Sequence, residues 1–207
     1  MKKTVFIALL LLTCANSKSQ VKQAFPIGHK IAIFKKDPAK IYFPKGKLDD
    51  FTNKWYSIQL IGLGEPVLYD TKSTDEIYRF TWLRSFDHPI AISIIKKGNS
   101  FLLTWKECNG SGGHEPGKII MNKQRAITKA DWDFFQYRLK QLNFWQLPTT
   151  DPTSTGADGA KWLLEGKKPN QYHVTDRWTP GVGTDYYKCC DLLLSLTDLK
   201  IKSDRKY

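Results

Sequence analysis

No apolar run in this 207-residue sequence reaches the roughly 20 residues that a membrane-crossing helix needs. The longest is "VFIALLLL", residues 5–12. Arginine is also scarce: of 32 basic residues only 6 are Arg, so the guanidinium forks that read bases and phosphates are few. The lysines are spread from end to end with no basic block. The formal charge of +12 therefore describes a lysine-rich solvated surface able to meet anionic lipid or cell-wall polymer, and nucleic acid is not an expected partner. Four cysteines are present, but none has metal-ligand spacing. His114-Glu115 lacks the second histidine of a zinc-protease helix. Gly117-Lys118 lacks the Ser or Thr of a phosphate-binding P-loop, and apolar residues follow where that motif needs a helix. No serine sits in a nucleophile elbow. No metal or cofactor is expected, and without repeats or long linkers the simplest organisation is one domain.

The chain opens "MKKTVFIALLLLTCANSKSQ". Two lysines, a short apolar run and then small polar residues form the three regions of a secretory signal. Two processing routes are open. Ser17 and Ser19 stand third and first before Gln20, a small-x-small site that makes residues 1–19 the signal and 20–207 the domain. Alternatively Leu11-Leu12-Thr13-Cys14 resembles a bacterial lipobox, with Cys14 lipidated as the first mature residue. Both routes lead out of the cytoplasm, to the periplasm or beyond. Membrane contact is expected only through a lipid on Cys14. The chain beyond the leader is long enough to bury a sizeable core.

Residues 48–63 read as a helix. Asp49 or Asp50 can cap it, Phe51, Trp55 and Ile58 recur at helical spacing, and Gly62 and Gly64 end it. Strand-like runs occupy residues 76–86, 89–97, 100–107 and 118–127. Gly98-Asn99 between the second and third is a hairpin signal. The period then changes: Thr128 with Asp131 forms an acidic capping-box variant ahead of the stripe Trp132, Phe135, Leu139 and Leu142. Another hairpin and an amphipathic helix in "TDYYKCCDLLLSLTDL" close the chain. Strands in a block with flanking helices predict an α+β domain, a twisted antiparallel sheet with helices on one face.

The second hairpin, "DGAKWLLEGKKPNQYHVTDRWTP", holds the densest set of reactive side chains. Pairing Glu165 with His173 across a loop at residues 167–171 puts Trp162, Leu164, Tyr172, Val174 and Trp178 on a core face. Glu165, His173, Thr175 and Arg177 then share the opposite face. Glu, His and Arg together suit an acid/base pair with an anion clamp, or a binding surface, or a plain solvated strand face. The Gly-rich "CNGSGGHEPGK" at residues 108–118 is a second binding candidate through His114 and Glu115, because glycine frees the backbone to hold ligands. His88, before Pro89, reads as a turn residue, and His29 has no motif around it. Cys108 is expected to bond Cys189 or Cys190, since an oxidising compartment favours disulfides and adjacent cysteines rarely bridge each other.

Taken together, "YRFTWLRSFDHPIAI", the GxGGxxPG loop and the DGxxWxLEG…YHxxxRWxP hairpin resemble a set of uncharacterised exported bacterial proteins. The resemblance spans residues 78–196 and implies that loop and hairpin belong to one domain. It implies no chemistry. With a leader, a compact aromatic core and no complete catalytic constellation, the expected function is non-catalytic binding of a protein or envelope component, an immunity or inhibitor protein being one version. The alternative is a periplasmic or secreted hydrolase using Glu165, His173 and Arg177, with the His114 loop as a lid.

Overall fold

A computed structural model of the chain describes residues 37–153, 156 and 158–207; the leader, Cys14, Gln20 and His29 lie outside them. Among these residues the chain forms a single α+β domain around one six-stranded antiparallel sheet. In chain order the elements are α1 (Asp50–Gly62), β1 (Glu76–Arg84), β2 (Ile90–Lys97), β3 (Ser100–Cys108), β4 (Ile119–Ala126), α2 (Lys129–Gln141), β5 (Ala160–Lys168), β6 (Gln171–Trp178) and α3 (Asp185–Ser195). The strand order across the sheet is β4-β3-β2-β1-β5-β6. No described helix is long and apolar enough to cross a membrane.

Local chemistry explains where the helices start. Asp49 accepts the Thr52 N–H at 2.9 Å and caps α1. Thr128 and Asp131 form the reciprocal capping box of α2, and Thr184 caps α3 by accepting from the Tyr187 N–H.

Helices cover both faces of the sheet. On one, α2 and α3 bury Trp132, Phe135, Leu139, Leu193 and both α3 cysteines against Tyr78, Phe80, Trp82, Ile92, Trp162 and Leu164. The Trp162 ring lies 5.0 Å from Phe80 and 5.3 Å from Trp82. The expected single-face packing holds for these two helices only. On the other face α1 and the segment before it bury Tyr42, Phe43, Tyr56 and Leu60 against Leu83, Leu163 and Val174. Strand β5 is therefore covered on both sides, which is why "WLLEGK" is buried without alternation.

The cysteine pairing is corrected. Cys108, Cys189 and Cys190 are buried free thiols. Cys108 packs with Leu63 and Ala91 beside the end of α1, whereas Cys189 and Cys190 lie in the α2/α3 layer. The sheet stands between them, and a bond requires Cα atoms within about 7 Å. Burial pushes the Cys189 and Cys190 thiols far above their ordinary range.

Candidate binding groove

The hairpin turns tighter than the sequence suggested. Lys168 pairs with Gln171 across Pro169-Asn170, and Asn170 takes the left-handed conformation (φ 60°), the positive φ that a turn with proline at its first central position places at its second. The register thus pairs Glu165 with Val174 and Gly166 with His173. This one-residue slip from the expected pairing exchanges faces. Glu165 joins Val174 on the α1 side, while His173 and Arg177 join Trp162 and Leu164 on the α2/α3 side.

The hydrolase constellation is thereby divided by the sheet. His173 packs edge-on against Phe144 at 5.1 Å and beside Trp145, and its Nε2 is buried without a hydrogen-bond partner among the described residues. Burial holds its imidazole below the usual histidine range; Lys47 and Arg177 add to this, and a backbone hydrogen bond at Leu147 opposes it. Arg177 donates to the carbonyls of Thr149 (3.1 Å) and Pro148 (2.9 Å) and lies over the Tyr186 ring. It ties the connection after α2 to β6. His114 and Glu115 are exposed on the β3–β4 loop. That loop is anchored: Gln59 donates to the His114 carbonyl at 2.6 Å, Trp55 donates to the Gly112 carbonyl at 3.1 Å, and the Gly112 N–H donates to the Asp87 carbonyl at 3.0 Å. A Cβ on Gly112 would stand 2.5 Å from the Leu83 backbone, so the glycine permits close packing here and the loop is no lid.

Glu165 belongs to a different group. The Arg79 guanidinium, fully buried, donates from Nε to Glu165 at 2.8 Å and from Nη1 to Glu65 at 3.3 Å and the Pro66 carbonyl at 2.8 Å. Tyr172 donates to the second Glu165 oxygen at 2.9 Å. The outer oxygen of Glu65 meets Lys106 Nζ at 3.0 Å, and Lys106 also donates to the Gly64 carbonyl at 2.7 Å. Burial pushes the Glu165 carboxyl up, against the pull of Arg79. Each carboxylate has a cation, as buried charge demands.

This network ends in a groove. Register places Glu165, Arg79, Ser93, Thr104 and Gln124 opposite one another in a row across β5, β1, β2, β3 and β4. Lys106 and Asn122 form the neighbouring pair. On this face α1 covers β5, β6 and the end of β1, its last turn reaches Ala91 and Cys108 through Leu63, and the part over Ser93, Thr104 and Gln124 is left open. The resulting groove has a volume of about 580 Å³, floored by Ser93, Thr104, Lys106, Asn122 and Gln124 and walled by Pro66, Leu68, Ile77 and Ile95. That volume falls within the usual range of ligand sites. Ser93, Thr104, Asn122 and Gln124 show no side-chain hydrogen bond to another described residue, so the floor keeps its donors and acceptors unspent. No described group of His, Cys, Asp and Glu could hold a metal ion.

Sequence reasoning missed this groove, although half its signal was present. Ser93 interrupts "IAISII" and Thr104 interrupts "FLLTW", and the Gly98-Asn99 turn makes them cross-strand partners. Compared with models of known protein families, with curated proteins and with solved structures, the chain matches none.

Proposed function

We propose that this protein is an exported binding domain that takes a protein or envelope component in the groove over β1–β4 and acts without covalent chemistry. The observation that carries the reading is the row of uncommitted hydroxyl and amide side chains, Ser93, Thr104, Asn122 and Gln124, beside a Lys106–Glu65 pair already neutralised. Such a floor offers hydrogen bonds to a ligand and carries no poised nucleophile. The Arg79 network beneath it fixes Glu65 and Pro66 in the groove wall, which lowers the ordering that a ligand would otherwise have to impose. Export rests on the leader, the lipobox alternative on Cys14, and both agree with the resemblance to exported bacterial proteins.

The test is capture from envelope extract by the protein, compared with Gln124→Trp, whose indole would fill the groove from an exposed strand position. A control, Ser195→Trp, places the same bulk at the exposed end of α3. The reading expects one captured species to be lost with Gln124→Trp and kept with Ser195→Trp. Equal capture by both would remove the groove from consideration.

A further inference from the structure

The sheet's two edges are treated differently. Beyond β6 the chain covers its own edge: the Asp176 N–H donates to the Thr149 carbonyl at 2.6 Å, and Thr150 bridges Asp176 in parallel. Beyond β4 no described strand follows, and most of β4 is exposed. The backbone groups it leaves open can be identified. Ile127 donates its N–H to the Phe101 carbonyl at 3.1 Å, and the register continues through Leu103–Arg125, Thr104–Gln124 and Lys106–Asn122. Bonded and non-bonded pairs alternate in an antiparallel ladder. Arg125, Lys123 and Met121 therefore bond to β3, and the N–H and C=O groups of Asn122 and Gln124 point out from the sheet. Asn122 and Gln124, with Lys123 between them, are also the β4 residues that line the groove.

Charge selects the occupant. Lys118, Lys123 and Arg125 lie on or beside β4, and the strand carries no carboxylate. Lys123 reaches Asp198, and Arg125 spends its guanidinium on the neutral Leu196 carbonyl and so keeps its charge. An antiparallel second copy would set lysine and arginine against each other, the usual protection of an edge against self-pairing. We infer that the ligand is an extended, acidic polypeptide segment that adds as a seventh strand beside β4 and sends alternate side chains into the groove. This rests on the groove reading and specifies its ligand.

The probe is a capped eight-residue peptide alternating Glu and Val, with two companions: Lys in place of Glu, and the acidic sequence with alternate backbone amides N-methylated. Amide exchange of the full chain is followed by NMR. The acidic peptide should slow exchange at Asn122 and Gln124 at least tenfold, bind at least tenfold better than either companion, and weaken as salt rises. Gln124→Pro removes an outward N–H and leaves the β3 ladder intact, as edge positions allow; it should weaken the peptide about tenfold. If that variant melts early, Lys118→Glu serves instead, with the same direction expected. Equal binding of the Lys peptide would overturn the acidic preference, and equal binding of the N-methylated peptide would overturn strand addition. No protection at millimolar peptide would overturn both. If the capture test still depends on Gln124→Trp in that case, the groove reading stands and only strand addition falls.

Discussion

Removing Arg79 should be among the most damaging single changes available. In Arg79→Leu the guanidinium that meets Glu165 and Glu65 disappears from a site with no solvent access. Glu65 keeps Lys106 at 3.0 Å, but Glu165 keeps only the Tyr172 hydroxyl. Breaking a buried pair by deleting one partner costs about 3–5 kcal/mol, a large share of the roughly 5–15 kcal/mol that holds a domain folded. The sign with pH is also determined. Glu165 already sits above the ordinary carboxylate range because it is buried, and loss of Arg79 raises it further. The folded variant then holds a proton that the unfolded chain releases, so its deficit should shrink as pH falls toward the unfolded carboxylate range and grow as pH rises above it. Urea denaturation at pH 7 and near pH 5 measures both, the midpoint shift at constant slope giving the cost. A second change, Glu165→Leu, removes the stranded charge, and the double variant should recover more than half of the loss. A cost below about 1 kcal/mol, or no recovery in the double variant, would refute the claim that these charges are buried and interdependent.

Truncating Trp162 to Ala should cost about 3–5 kcal/mol by equilibrium unfolding, because the ring is fully buried between Phe80, Trp82 and Tyr187. The thiols of Cys108, Cys189 and Cys190 should resist a thiol reagent in the native protein and react on unfolding, and added reductant should leave the melting temperature unchanged. Because His173 is held below the usual histidine range, mainly by burial, its contribution to stability is present above its unfolded value. It should fade as pH falls through the lowered one, and comparison of the protein with His173→Gln from pH 7 to pH 5 isolates it.

Much of the architecture was legible because its signals are local. The Gly98-Asn99 turn, the Thr128–Asp131 box and the 3.6-residue stripe of α2 each act over a few residues, and β2, β3 and α2 lie where these place them. The site was not legible because it depends on pairings far apart in the chain. Arg79 and Glu165 are 86 residues apart, and nothing within either strand states that β1 and β5 are neighbours. The division of Glu165 from His173 turned on a single residue of register, decided by whether Asn170 adopts φ > 0 in a two-residue turn. The disulfide expectation failed for a related reason: compartment chemistry favours a bond, but only topology shows that the sheet separates Cys108 from α3. Polar interruptions at matching parity in paired strands, such as Ser93 and Thr104, were the one readable trace of the groove.

Site-specific photo-crosslinking is the sharpest test of binding in the groove. A compact aliphatic diazirine side chain, far smaller than the indole of Gln124→Trp, is placed at Thr104 in the groove floor, and separately at Tyr137 on the exposed face of α2, and each protein is irradiated in envelope extract. Binding over β1–β4 predicts one defined adduct from Thr104, competed away by unlabelled protein and not by Gln124→Trp, with no such adduct from Tyr137. A defined, competable adduct from Tyr137 with none from Thr104 would place binding on the α2/α3 side and overturn the groove as the binding site.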